Sequence, residues 1–234
     1  MANEKERKAQ EAKEAERQEK VAEQVSKTDQ FLKEHSKLIY GCLIALLLIG
    51  LGIVAWQKFI LQPKKAEGMA QMYPAEASYR AQEYELALNG DGNVLGFKQI
   101  IDEYGTKAGG IVYFYAGMCN LELGNYEEAI SMFKKYKGKE SILSARSYGC
   151  IGDAYVGLEK YAESLPWYEK AAARANNPFA ATYLLKAGVV CEEMGDNAKA
   201  LAFYKQIKDK YPQSMEGYDI DKYISRIETV MSNK

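Results

Sequence analysis

Histidine is almost missing from this chain of 234 residues. The single one, His35, stands ahead of a long apolar run, so everything after that run has none. Ser-His-Asp and Cys-His arrangements and histidine metal ligands are thereby excluded from the C-terminal part. Charge of one sign is not in excess either: 31 Lys/Arg face 32 Asp/Glu, a formal charge of −1. That balance leaves no electrostatic footprint for nucleic acid. Cysteine is sparse and forms no C-x-x-C. Cys42 lies in the apolar run, while Cys119, Cys150 and Cys191 are spread over the rest. Three thiols cannot pair fully, so they read as small buried apolar side chains.

What is present begins with Leu38 to Gln57, twenty residues without a charge. At about 1.5 Å per residue they span a hydrocarbon core of about 30 Å. A cleaved signal peptide would have a shorter apolar part, nearer the N-terminus, and a small-x-small site that Ala55-Trp56-Gln57-Lys58 does not offer. A retained transmembrane helix over 38–57 is therefore expected. It separates a charged helical tail, 1–37, from a linker, 58–65, and a soluble domain. The tail has nine Lys/Arg and nine Asp/Glu, with Glu4/Lys8 and Glu16/Lys20 as helix-supporting pairs. Its apolar positions are too few for a heptad seam. Lys20, Lys27, Lys33 and Lys37 precede the span and favour a cytoplasmic N-terminus with the domain outside. Gln62-Pro63-Lys64-Lys65 reads as the end of the helix and a short hinge.

The soluble part repeats. Gly117, Gly152 and Gly188 lie 35 and 36 residues apart. Each is followed at the same distance by a small residue (Ala129, Ser164, Ala200), then by an aromatic one (Phe133, Tyr168, Tyr204). Tyr126 and Tyr161 recur between them, with Asn197 as the departure. Such spacing suits antiparallel helix pairs that approach closely where side chains are small, with the aromatic filling the space beside that contact. A pair cannot bury its apolar face alone, so stacked pairs make the core. The pattern resembles the tetratricopeptide repeat family over 110–212, with Pro178 and Pro212 at repeat ends. Pro166, inside a helix of the middle repeat, is a departure that predicts a bend. Upstream, 66–109 reads as a degenerate first pair, with helices over Ala66 to Leu88 and Val94 to Tyr104. Downstream, 213–234 reads as a closing helix marked by Ile220, Tyr223, Ile224 and Ile227. The expected fold is all-α: one transmembrane helix, then an α-solenoid of three tetratricopeptide-like helix pairs and a C-terminal closing helix.

Asn89-Gly90-Asp91-Gly92-Asn93 alternates oxygen ligands but has Val94 where a calcium loop needs glycine and Ile100 where it needs glutamate. It reads as a turn. No catalytic residue, metal, cofactor or small-molecule substrate is expected. The remaining candidate is the concave face lined by the first helix of each pair. Register places Ile111, Phe114, Met118 and Leu121 there, then Arg146, Gly149, Asp153 and Val156, then Thr182, Leu185, Val189 and Glu192. An apolar groove with scattered charges suits a hydrophobic segment of a partner or an unfolded client. Repeats of this family that clamp a terminal carboxylate carry Lys, Asn and Arg in such places, and Phe114 and Met118 occupy two of them.

Tail, span, repeats and closing helix together resemble the bacterial ancillary SecYEG translocon subunit family. LALNGDGNVLGFKQIIDEYGTKAG is similar to its Bacteroidetes-type members. The resemblance implies an inner-membrane protein with a periplasmic repeat domain, working with the secretion channel, periplasmic chaperones and emerging clients. The alternative is a structural scaffold or coordinator of an envelope or cell-division complex.

Overall fold

A computed structural model describes residues 17, 20–22, 24–26 and 32–233. Of the charged pairs expected at Glu4/Lys8 and Glu16/Lys20, the first and Glu16 of the second lie outside the described residues. The chain divides into two units, Met1–Ile60 and Leu61–Lys234. In the first, α1 (Ser36–Trp56) has no buried side chain among those described, and the leucines and isoleucines among them stand open. It supplies the apolar window of the one helical segment, among the described residues, long and apolar enough to cross a membrane.

The linker expected at 58–65, with its hinge at 62–65, is helical instead. A π-helical stretch, Gln57–Leu61, is followed by α2 (Gln62–Arg80). Pro63 stands in the first turn of α2 directly after the π-helical stretch, and the chain stays helical through it instead of ending there. The single helix expected from Ala66 to Leu88 is broken. Gln82 adopts φ 65°, and a separate α3 (Tyr84–Asn89) follows. Next come α4 (Phe97–Tyr104), three residues shorter at its start than expected, and a 3₁₀ turn, Gly105–Ala108. Between α3 and α4, the Asp91 carboxylate accepts the backbone N–H groups of Asn93 (2.9 Å) and Val94 (3.0 Å). Those two donors hold its pKa below the usual carboxylate range. Its oxygen is thus engaged in shaping a turn.

Three helix pairs follow: α5 (Ile111–Glu122) with α6 (Tyr126–Lys135), α7 (Ser141–Gly157) with α8 (Tyr161–Ala175), and α9 (Ala180–Glu193) with α10 (Asn197–Lys210). Pro166 lies within α8, which runs through it as one helix. Each pair turns the same way. A left-handed residue (Gly124, Glu159, Gly195) precedes a backbone N–H that reaches back five residues: Asn125 to Asn120, Lys160 to Tyr155, Asp196 to Cys191. These are Schellman closures, which satisfy helix-end carbonyls. The Asp196 side chain also caps α10 by accepting from Lys199 N (3.0 Å). Finally α11 (Met215–Ser232), capped by Ser214 on Gly217 N, buries Ile220, Ile224 and Ile227.

The glycines of the repeat sit against the aromatic rings. A Cβ on Gly117 would come within 2.8 Å of the Phe133 ring, and one on Gly152 within 2.6 Å of the Tyr168 ring. A Cβ on Gly188 would collide with Tyr204. Ala129, Ser164 and Ala200 are wholly buried. The interior forms three successive clusters. α2–α4 pack on Val112 and Ala116; Phe114, Phe133 and Ile151 join the first and second pairs; Leu184, Tyr204 and Ile220 join the rest.

Candidate functional site

The first helices of the second and third pairs supply most of one open cavity of about 520 Å³. From α5 come Met118, Leu121 and Glu122; from α7 Ile142, Arg146, Gly149, Cys150 and Asp153; and from α9 and its entry Phe179, Thr182, Tyr183 and Lys186. The α7 members recur every three or four residues and so share one face of that helix. Gly149 lets the repeats close up, since a Cβ there would strike the Tyr183 ring. Leu121, Arg146, Gly149, Asp153 and Thr182, expected on the concave face, are brought together here.

Other expected members lie outside this cavity or present little side chain to it. Phe114 is only 4% exposed. Its ring packs against Tyr115, Phe133 and Tyr136 at centroid distances of 5.7–6.2 Å, and the Arg146 guanidinium lies 5.8 Å above it. The first pair's own second helix and exit loop therefore enclose it. Met118 is also 4% exposed, in contact with Cys150 Sγ at 3.6 Å, and offers the cavity an edge rather than a free side chain. Register alone does not distinguish a side chain facing the groove from one tucked under it. Ile111 is half-buried against the first two clusters. Val156 and Leu185 are half-buried against the third, and Val189 is exposed but outside the cavity. The sequence reading missed Ile142 and Phe179, which are 57% and 63% exposed at the rim. Their signal was a large apolar residue at a helix entry, outside the positions the repeat spacing marks.

Polar groups at the cavity are held in place. Asp153 Oδ1 accepts from Tyr168 Oη (2.7 Å), and its carboxylate accepts from Lys186 Nζ at 2.7 and 2.8 Å. This ties the second pair to the third. Burial, reinforced by the Asp153 charge, pushes the Tyr168 phenol far above its usual range. Burial also raises the Cys150 thiol and the Tyr183 phenol, each to about 12. Cys150 is thus a protonated packing group and no nucleophile at neutral pH. One helix pair on, Glu192 receives the Tyr204 hydroxyl and both bonds from Arg226 Nη2 (2.6 and 2.8 Å), fastening α11 to the third pair. Thr182 Oγ1 donates to Glu216 at 2.6 Å, a second tie. No group of three His, Cys, Asp or Glu positioned for a metal occurs among the described residues.

This architecture is that of a helical-repeat solenoid, and comparison with known proteins specifies the repeat. Residues 112–139 and residues 143–213 each match the tetratricopeptide repeat, so the chain carries tetratricopeptide repeats. No curated protein matches the sequence significantly. Among solved structures, two of MamA are similar. One is 18% identical with TM-score 0.54, over 68% of this chain and 84% of that one; the other is 17% identical with TM-score 0.56, over 72% and 86%. YrrB, described as a TPR protein with an unusual peptide-binding site, is 18% identical with TM-score 0.52, over 70% of this chain and 77% of its own. At such identities the likeness concerns the fold. None of these comparisons indicates an enzymatic family, and repeats of this kind are protein-interaction modules.

Proposed function

We propose that the chain is a membrane-anchored protein-binding module of the bacterial envelope, with no catalytic role. In this reading α1 crosses the inner membrane once, the charged N-terminal tail stays in the cytoplasm and the repeats lie in the periplasm. The cavity between α5, α7 and α9 takes an extended segment of a partner or an unfolded client beside the secretion channel. The observation that carries the reading is the exposure of Ile142 and Phe179 at the rim of a cavity containing Arg146, Lys186 and Asp153. Apolar side chains open to water beside oriented charges suit a peptide with an apolar anchor and polar flanks. The peptide-binding site of YrrB supports the same use of the fold by analogy. Tethering at a membrane raises the local concentration of the groove, so weak contacts become occupied.

A photoreactive residue at position 142 of the full chain in intact cells tests this, with position 199 as the control. The expected outcome is adducts to exported chains, the secretion channel or a periplasmic chaperone from position 142 alone. Adducts confined to division or wall proteins, or to copies of the chain itself, would replace this reading with the scaffold. That second reading has its own observation: Met215 and Tyr218 of α11 are 87% and 77% exposed.

A further inference from the structure

A second cavity, of about 450 Å³, opens on the other side of α7. Ser144, Ser147, Tyr148 and Ile151 line it, whereas Ile142, Arg146, Gly149 and Asp153 line the first. At about 100° per residue these two sets project in opposite directions from the helix. Its walls are the second helices of two neighbouring pairs. Lys134 and the following Lys137 come from one side, and Trp167 and Lys170 from the other.

Two features set this cleft apart. Tyr148 and Trp167 form an aromatic corner, with ring centroids 6.0 Å apart and planes tilted by 42°. Lys170 Nζ lies 4.3 Å from the Tyr148 centroid and 5.1 Å from that of Trp167, and Lys134 Nζ lies 5.5 Å from Trp167. Three ammonium groups therefore border one cavity, and no acidic residue lines it. Several lysines further along the solenoid are matched with carboxylates, Lys186 with Asp153, Lys199 with Glu169, Lys205 with Glu228 and Lys208 with Asp221, whereas Lys160 and Lys210 are not matched within the described residues. Lys134, Lys137 and Lys170 have no such partner among the described residues. Tyr148 and Trp167 are half-buried, and their Oη and Nε1 make no hydrogen bond within the described residues, so both donors face water at the cleft.

We infer that this cleft is a second protein-binding site, for an acidic segment that places an aromatic or apolar side chain against Tyr148 and Trp167. Carboxylates on either side of that side chain meet the three ammonium groups. The Tyr148 hydroxyl and the Trp167 indole N–H supply neutral donors to the same ligand. A concave site with two walls and a floor suits an inserted side chain, whereas the flat, charged surface of a bilayer meets the lysine tips alone. The charge pattern selects the partner's sign; the aromatic corner sets the register of the segment. This site does not depend on what occupies the first cavity.

The chain has two tryptophans, Trp56 and Trp167. In the full chain carrying Trp56→Phe, held in an uncharged detergent, Trp167 is then the sole indole fluorophore and reports on the cleft directly. The probe is a blocked peptide with one Phe flanked on both sides by Asp and Glu. A saturable shift of Trp167 emission that weakens with added salt is expected. Replacing the acids by Asn and Gln is expected to weaken binding at least about tenfold, as is the combined change Lys134→Gln, Lys137→Gln and Lys170→Gln. Lys205→Gln, on the last pair, is expected to leave it within about twofold. Circular dichroism of each variant separates lost binding from lost fold. The inference is overturned if no saturable shift occurs, if the neutral peptide binds equally well, or if the triple variant keeps both its helicity and its affinity. Emission that responds to phosphatidylglycerol vesicles and not to the peptide would overturn it in favour of a lipid-facing surface.

Discussion

The missing side chain of Gly152 is what allows the Tyr168 ring to lie between two helices. A methyl group there would stand 2.6 Å from the ring. The ring cannot swing aside, because it is 2% exposed and its hydroxyl is bound to Asp153. Gly152→Ala is therefore expected to lower unfolding free energy by about 1–3 kcal/mol, the usual cost of overpacking a filled interior. Gly110, with open space around its Cβ position, serves as the control. Gly110→Ala is expected to fall within about 0.5 kcal/mol of the parent. Urea denaturation of the two variants decides the matter, and equal midpoints would mean that the rings repack at little cost. At this scale the sequence was highly informative. A recurrent glycine, small residue and aromatic mark a contact that recurs in space, so the spacing carries the geometry. Phe114 was less legible because its cover comes from Tyr136, beyond the helix, and from Arg146 of the next pair.

Among the helix-pair turns, the second stands out. Its left-handed position is filled by Glu159, φ 58°, where the first and third use Gly124 and Gly195. A side chain in that conformation costs about 1 kcal/mol that glycine avoids, part of it returned as extra freedom in the unfolded chain. Glu159→Gly is expected to raise stability by several tenths to about 1 kcal/mol. Thermal unfolding followed by circular dichroism tests this, and a lower midpoint would show that Glu159 makes a stabilising contact elsewhere. Such positions also explain where elements were misjudged. Nothing in Ala81-Gln82-Glu83 announces a break, since glutamine at positive φ leaves no compositional trace, and the apolar period continues through it. Pro63 misled in the opposite sense. The chain is helical on both sides of Pro63, with a π-helical stretch just before it that leaves no trace in composition. The rim of the first cavity was overlooked for a related reason. Ile142 lies in the first turn of α7 and Phe179 just before α9, outside the stretch in which the repeats align.

Across the whole repeat unit, each pair keeps phenols and thiols away from water. Burial raises Cys119 and Cys150 to about 12 and Cys191 to about 11, from a usual value of 9.0. Tyr168 and Tyr204 are pushed higher still, by burial first and by the neighbouring Asp153 and Glu192 after it. In the unfolded chain these groups lose protons first, so base favours unfolding. Stability is expected to hold level up to about pH 9, then fall as pH rises from there to 12 and beyond. Urea midpoints across that range measure it, with the Cys119→Ala, Cys150→Ala and Cys191→Ala triple variant moving the onset towards the tyrosine range near pH 10. A level profile throughout would mean that these groups ionise inside the fold. The same distribution of sulfur has a practical sequel. Every helix pair holds one sealed thiol in its first helix, and a variant without Cys42 has no others. Brief alkylation followed by peptide mapping would timestamp the opening of each pair separately, so the chain already carries its own three-channel recorder of the order in which a stacked array comes apart.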